Sequence, residues 1–294
     1  MRINRLIALV VGLWLMSLCL PADAVVLRFK PGVNSIVKHK VTMSGRTEMT
    51  NEMLPQPMRM GLTMVMISRQ KVLGRTDQGL KVQTTSSGGT MTMTFEGVEG
   101  MESMGGMGGG KQSQKLPDSK MVAIMDERGR VQQIVSSDVP GASDMPLSND
   151  TLASLSGMTG FPEGDVKAND TWADEMKIPA SEGTPEINLS VNSRLLELLT
   201  YQGRPCAKIR TSFKGPMSFD LSQMAGKAGS NASGTMEATL QGTFTQYYDY
   251  AHSVWVGGEG QMTMNMTMNM STQGVDTGPM QMKMAMNIKM QMVK

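Results

Sequence analysis

The residues that build most enzyme active sites are scarce in this chain of 294 residues, which has two histidines, His39 and His252, and two cysteines. No GxSxG, HExxH or CxxC motif occurs. The alternation around His39 puts it on an apolar strand face, where a satisfied core histidine is expected rather than a general base. His252 falls in a predicted, solvated turn. This scarcity of bases and nucleophiles predicts that the protein is not an enzyme and uses no cofactor.

Aromatic residues are also rare, at 4% of the chain, whereas methionine occurs 33 times. Methionine and the aliphatic residues must therefore fill the core. Because methionine is flexible and polarisable and fills irregular gaps, a sheet face rich in it would adapt to variable apolar partners.

The sequence has one long apolar run, at residues 6–20, and no later segment is apolar enough to span a membrane. Arg2 and Arg5 flank this run, and the small residues of ADA, residues 22–24, follow it, which is the pattern of an export signal. The run is shorter than the about 20 residues of a membrane span. We expect residues 1–24 to be a signal peptide cleaved after Ala24, which predicts a periplasmic or secreted protein.

Loss of Cys19 with the signal would leave Cys206 as the only cysteine, which excludes an intramolecular disulfide. Cys206 alternates in phase with Lys208 and Arg210, and nearby cations can lower the pKa of a thiol and make it reactive. The plainer interpretation, a residue at the start of a strand without a chemical role, is favoured.

Neither sign of charge is in excess. Removing Arg2, Arg5 and Asp23 from the 28 basic and 26 acidic residues leaves 26 and 25, a net charge of +1. Nucleic-acid binding rests on clustered cations, so this balance argues against a nucleic-acid partner. It argues equally against polybasic docking on a membrane.

What the sequence does have is apolar residues at every second position, the pattern of strands with one dry and one wet face. DERG, residues 126–129, lies between two apolar-rich arms and predicts a hairpin. Residues 254–270, which include MTMNMTMNM, and residues 280–292 predict two long antiparallel strands. Gly258 and Gly260 predict a bend or bulge in the first of them.

The methionines of these two strands share their phase with Val254, Val256 and Ile288, which cannot ligate a metal. We therefore expect the strand methionines to be buried core rather than thioether ligands.

These patterns predict an all-β fold, an antiparallel sandwich or half-open barrel. Residues 25–139 and 140–294 are its predicted N-terminal and C-terminal β lobes, and both end in methionine-alternating strands, as two similar lobes would. The connection near residue 140 is rich in proline and serine, and SNDTLASLSG within it predicts one short helix over residues 149–156.

Four segments of the sequence resemble segments of a known protein family. They are LRFKPGVNSIVKHKVTMSGRTEM from residue 27, DERGRV from 126, GFPEGDVKANDTW from 160 and YQGRPCAKI from 201. They resemble a bacterial family of exported proteins and lipoproteins that is known mainly as a domain of unknown function. Two motifs depart from that family. Asn169 stands in place of a glycine before Asp170, and Ala-His-Ser at residues 251–253 stands where the family tends to have glycine. The resemblance implies an antiparallel β fold in the cell envelope and supplies no catalytic or binding residues.

A glycine-rich segment supports a second hypothesis. MESMGGMGGG, residues 101–110, spaces Met101, Met104 and Met107 three residues apart without any strand alternation, so these methionines have no core to fill. Thioethers are soft donors that suit Cu(I). These three residues are the candidate metal ligands, and the alternative is a plain linker.

Together these observations favour a non-enzymatic, exported β protein of the cell envelope that binds or assembles through a methionine-rich apolar sheet face. Its partner is expected to be an envelope protein or a hydrophobic ligand, and a carrier of lipid is the most specific version. The alternative is handling of Cu(I) or Ag(I) by the glycine- and methionine-rich segment.

Overall fold

The protein is described by a computed structural model over residues 24–51, 56–96, 110–138, 160–178, 187–220, 232–272 and 275–294. These ranges contain strands and no helix, and hence no helix that could cross a membrane. The strands are β1 (Val25–Val26), β2 (Ile36–Asn51), β3 (Met58–Thr76), β4 (Gly79–Glu96), β5 (Lys111–Lys115), β6 (Ser119–Met125), β7 (Val131–Asp138), β8 (Asp165–Val166), β9 (Thr171–Ile178), β10 (Ile187–Tyr201), β11 (Arg204–Asp220), β12 (Ala232–Asp249), β13 (Val254–Thr272) and β14 (Val275–Val293). The helix predicted over residues 149–156 and residues 1–23 of the predicted signal lie outside the described residues.

Twelve strands form one antiparallel sheet, in which eleven follow the order β7-β6-β4-β3-β2-β14-β13-β12-β11-β10-β9 and β5 pairs with β4. β1 and β8 form a separate pair. Among the described strands, the edges β7 and β9 do not pair with each other, so the sheet is open. The predicted all-β antiparallel class is confirmed.

Two predicted strand pairs are also confirmed. DERG joins β6 to β7, and the two C-terminal methionine-rich segments pair as β13 and β14. Two pairings of the described strands join the two predicted lobes. One is the short β1–β8 pair, and the other lies within the large sheet, where β2 runs antiparallel to β14 from Lys38 opposite Val293 to Asn51 opposite Met280. The strands of both lobes therefore belong to one sheet, and the division near residue 140 stays a prediction.

The sheet curls so that strands far apart in its order share a core. Val72 of β3 and Val82 of β4 belong to the same buried cluster as Ile209 of β11, although β2, β14, β13 and β12 lie between β3 and β11 in the sheet. We call this part of the molecule the closed end; its buried cluster is Leu27, Phe29, Val72, Leu80, Val82, Phe161, Val166, Leu195, Ala207, Ile209 and Tyr248.

Two irregular segments complete the closed end. The backbone nitrogens of Phe29 and Phe161 donate to carbonyl oxygens in the β6–β7 turn, at 2.7 and 2.8 Å. The Tyr248 hydroxyl donates to the carbonyl oxygen of Arg28. The rings of Phe161, Tyr248 and Trp255 lie 4.5 to 5.8 Å apart between centroids, which suits aromatic packing. Several of the chain's few aromatic residues are thus concentrated here.

The two positions that depart from the glycines of the resembling family, Asn169 and residues 251–253, lie in turns whose backbone conformation glycine adopts easily. Asn169 has φ of 76° and Ser253 has φ of 57°, both in the left-handed region. Asparagine tolerates this region better than most residues. The Ser253 hydroxyl donates to the carbonyl oxygen of Arg28 at 3.1 Å, which offsets part of the backbone strain. Both turns therefore form without glycine.

Candidate apolar binding face

The candidate site is one face of the sheet, which we call the methionine face. Residues directly opposite each other on neighbouring strands point to the same face, so the pairing register identifies its rows. It extends over β4, β3, β2, β14 and β13 and continues on β12, β11 and β10. One row, from β4 to β12, is Phe95, Met60, Thr47, Met284, Met264 and Leu240.

Burial changes along this face. On β10 to β12 its residues form a second buried cluster, and Met262, Met264, Met266 and Met268 of β13 pack against that cluster. The β13 methionines are only half-buried, as are the methionines of the face on β14, β2, β3 and β4. The strand methionines therefore contact the core, as predicted, but they keep part of their apolar surface exposed. The buried cluster is Leu189, Val191, Phe213, Met217, Met236, Ala238 and Leu240.

The two faces of the sheet differ sharply in polarity. Along the register rows of β2–β4 and β10–β14, the exposed Arg75 at the end of β3 is the one charged side chain of the methionine face among the described residues, and His39 is its one imidazole. Ser193 and Thr211 on this face are buried and hydrogen-bonded to each other at 3.0 Å. On the opposite face, Asn265 and Lys283 stand opposite each other and are exposed.

Glycines allow aromatic rings to lie close to the backbone of this face. A Cβ on Gly260 would lie 2.4 Å from the Phe244 ring, and one on Gly242 would lie 2.4 Å from the Phe213 ring. Glycine in a strand commonly marks such a close approach and a bend. The register between β12 and β13 shifts at Val256, beside the predicted bend.

The structure places the two histidines differently, in line with prediction. His39 is 3% exposed, and its Nε2 donates to the carbonyl oxygen of Trp255 at 2.8 Å. Burial lowers the pKa of His39, and the hydrogen bond to Trp255 opposes only part of this effect. His252 lies in an exposed turn, as predicted, with its Nδ1 2.8 Å from Asp249 Oδ2.

Asp249 organises that turn from inside the protein. Its side chain is fully buried, and it accepts hydrogen bonds from the backbone nitrogens of Ala251 and His252 and from Arg204 Nη1 at 2.9 Å. Burial by itself raises the pKa of Asp249, but these donors outweigh burial and hold its pKa below the ordinary value. The arrangement stabilises a turn, and no nucleophile joins it among the described contacts.

Cys206 is fully buried, so the alternative that Lys208 and Arg210 make it reactive is wrong. Burial, followed by the Asp249 carboxylate, raises the pKa of the Cys206 thiol. The alternation of β11 breaks at this point, because Cys206 and the next residue, Ala207, are both buried.

The candidate metal ligands Met101, Met104 and Met107 lie outside the described residues, so their hypothesis stays a prediction. Among the residues that the structure does describe, no group of three histidine, cysteine, aspartate or glutamate side chains could hold a metal ion.

Cavities occur both on the outer side of the sheet and at the closed end. An open depression of about 540 Å³ is lined by both polar and apolar residues of β10 to β12, among them Asn192, Phe213 and Pro216, with Lys214 as its one charged side chain. A pocket of about 20 Å³ lies beside His39 and Trp255 at the closed end and has room for about one water molecule. Neither offers a set of catalytic groups.

No family model matches the chain, and no curated protein sequence matches it. Among solved structures, it is similar to lipovitellin, with 10% identity and a TM-score of 0.44; the match covers 90% of this chain but only 25% of the lipovitellin chain. An outer membrane channel from Pseudomonas putida F1 matches with 6% identity and a TM-score of 0.30, over 90% of this chain and 97% of that chain. A DUF1329 family protein from Desulfovibrio piger ATCC 29098 matches with 10% identity and a TM-score of 0.18, over 88% and 85% of the two chains. All three likenesses are distant, and the family resemblance seen in the sequence stays a prediction.

Proposed function

We propose that this protein is a non-enzymatic, exported protein of the cell envelope that binds the acyl chain of a lipid on its methionine face. The observation that carries the proposal is a continuous apolar surface whose methionines are half-exposed on five neighbouring strands. Large exposed apolar patches on soluble proteins commonly mark interaction or ligand sites. The export pattern at residues 1–24 supports the location.

The chemistry of the face fits a hydrocarbon rather than a polar ligand. The rows that contain its methionines lack charged side chains, and its buried hydroxyls at Ser193 and Thr211 already bond to each other. Methionine side chains rearrange easily, so they suit a flexible chain with no fixed shape.

The dimensions also fit. Met262 to Met268 covers six residue steps, or about 20 Å along β13 at roughly 3.3 Å per step. One leaflet of a bilayer's hydrocarbon core is about 15 Å thick, so an acyl chain is comparable in length to this row.

Native mass spectrometry of the protein purified from its own envelope tests the proposal. We expect masses that exceed the chain by one or more lipids and that fall to the bare chain after delipidation. A bare chain from the outset, which also fails to take up a fluorescent fatty acid, would count against lipid binding.

A matched set of variants locates the site. Met264 and Met284 stand opposite each other on the methionine face, and Asn265 and Lys283 form the adjacent pair on the other face. The double change Met264→Gln, Met284→Gln should weaken fatty-acid binding about 30-fold, taking roughly 40 Å² of lost apolar contact per residue at about 25 cal/mol per Å². Asn265→Gln with Lys283→Gln should leave binding unchanged.

The change Met264→Leu with Met284→Leu separates apolarity from thioether chemistry, because it nearly conserves volume. This variant should keep its affinity for the fatty acid. If the glutamine and leucine variants lost affinity for the fatty acid equally, binding would not depend on apolar contact with the methionine face.

The alternative function is soft-metal handling through Met101, Met104 and Met107, and it rests on their spacing in the sequence. Titration with Cu(I) under reducing conditions should then show binding that is lost when these three residues become leucine. Binding that instead disappears with leucine at Met264, Met266 and Met268 would move the thioether site to the sheet.

A further inference from the structure

A cluster of cations lies on the polar face of β2 and β3, near the closed end. Lys38 stands directly opposite Arg69, and Lys71 stands opposite Ile36 two pairs further along, which is the next pair on the same face. Lys40 follows Lys38 on the same side of β2. We call Lys38, Lys40, Arg69 and Lys71 the basic patch.

The basic patch is electrostatically unfavourable for the fold itself. Like charges directly opposite each other on neighbouring strands destabilise a sheet. Among the described residues, none of these four cations forms an ion pair. Farther along the same two strands, by contrast, Arg59 is paired with Glu48 at 3.3 Å.

The residues that flank the patch in the pairing register are uncharged. Lys38 faces Val293 on β14, Lys40 faces Gln291, and Lys71 faces Gln83 on β4. No described acidic residue therefore neutralises these three lysines across the sheet.

Exposed apolar side chains border the same patch. Five large hydrophobic residues are exposed in the described part of the chain, and three of them lie here: Val33 at 49%, Ile36 at 46% and Leu73 at 37%. Leu73 sits at a bulge of β3 between Val72 and Gly74. Val33 lies in the turn that is held to β3 by the hydrogen bond from the Asn34 nitrogen to the Val72 carbonyl oxygen, at 2.9 Å.

We propose that the basic patch docks the protein on the surface of an anionic phospholipid membrane. Lys38, Lys40, Arg69 and Lys71 would contact lipid phosphates, and the three apolar side chains would enter the interfacial layer. Clusters of four or more cations bind anionic lipid in this way. The net charge of +1 argues against polybasic docking only when the chain is averaged, and the pairing of β2 with β3 replaces that expectation because it collects four cations on one face.

The apolar border favours a membrane over a nucleic acid. Proteins that hold single-stranded nucleic acid on a basic surface stack its bases on aromatic side chains, and neither Val33, Ile36 nor Leu73 can do so. This surface lies on the face opposite the methionine face, so docking is independent of the ligand proposed above.

Co-sedimentation with vesicles tests docking, using phosphatidylcholine vesicles with and without phosphatidylglycerol. At 0.1 M salt the protein should bind the anionic vesicles only. Lys38→Gln with Arg69→Gln should weaken binding roughly 25-fold, at about fivefold per cation. Lys214→Gln with Lys283→Gln removes the same charge from exposed positions elsewhere and should change binding little. An equal loss in both pairs would refute a localised site.

A separate pair of variants tests the exposed apolar side chains that border the basic patch. Ile36→Ser with Leu73→Ser should weaken vesicle binding several-fold but leave binding to single-stranded DNA, a soluble polyanion, unaffected. Membrane docking would be wrong if DNA bound as well as anionic vesicles and the serine variant lost nothing. Salt at 1 M, where the screening length falls from about 10 to about 3 Å, should release the protein. Loss of docking in these variants would leave the lipid content seen by native mass spectrometry unchanged, so the two proposals fail separately.

Discussion

Acidification between pH 7.5 and 5.5 should destabilise the protein through His39. This side chain is 3% exposed, and its Nε2 donates to Trp255; burial disfavours the charged imidazole in the folded protein. Burial lowers the pKa of His39 in the folded state below 6.5. In the unfolded chain the same residue titrates near its ordinary pKa of about 6.5.

The sign follows from which state binds the proton. Below about pH 6.5 the unfolded chain takes up a proton that folded His39 does not, so stability is fully present above that pH and falls as pH decreases toward the folded pKa. One proton of difference changes the free energy of unfolding by about 1.4 kcal/mol per pH unit. Between pH 7.5 and 5.5 the loss approaches about 1.4 kcal/mol, which lowers Tm by about 4 °C in a domain of this size.

Thermal unfolding at several pH values within this window measures the effect. His39→Gln keeps an N–H donor for Trp255 but does not titrate, so its Tm should change much less between pH 7.5 and 5.5. His252→Gln removes the chain's other imidazole and should retain the pH dependence. If His39→Gln kept the full slope, the reasoning from burial would be wrong.

Three further outcomes are expected. Cys206 should not react with a thiol reagent in the native protein and should react fully in denaturant, because it is buried and its pKa is raised. Asp249→Asn should lower the free energy of unfolding in urea by about 3 kcal/mol, since it leaves a partly buried Arg204 without its anion. Gly260→Ala should lower it by about 2 kcal/mol through contact with the Phe244 ring, whereas Gly164→Ala, with open space around it, should change it by less than about 0.5 kcal/mol. A native Cys206 that reacts would contradict its burial. An Asp249→Asn protein of unchanged stability would contradict the role of Asp249 as the anion of Arg204. Equal stability of the two glycine variants would contradict the close contact at Gly260.

The strands could be predicted from apolar alternation, because neighbouring residues in a strand point to opposite faces of the sheet. The alternation on β13 and β14 placed their methionines on one face, and the structure pairs Met264 with Met284 and Met266 with Met282. The satisfied core histidine at position 39 followed from the same alternation.

Long-range pairing was not predictable in this way. Nothing near Lys38 or Val293 indicates that β2 and β14 meet, since that register depends on residues far apart in sequence. Residues 27–29 and 160–162 are too short to predict a strand and resemble connections, yet Leu27 and Phe161 are among the most buried residues of the closed end. The alternation of β11 predicts an exposed Cys206, because a break in alternation leaves no local signal. The basic patch was likewise hidden, because it takes two paired strands to bring its four cations together.

The distribution of side-chain types explains how one sheet can combine a defined fold with an adaptable face. Phe161, Tyr248 and Trp255 pack together at the closed end, and hydrogen bonds tie the irregular segments to the β6–β7 turn. Well-defined packing of this kind specifies a unique structure, whereas a core built mainly from methionine specifies it poorly. The closed end therefore fixes the curvature of the sheet, and the methionine side chains of the methionine face do not need one fixed packing arrangement. Substitutions at the closed end should act on stability first, and substitutions on the half-exposed methionines should act on binding first.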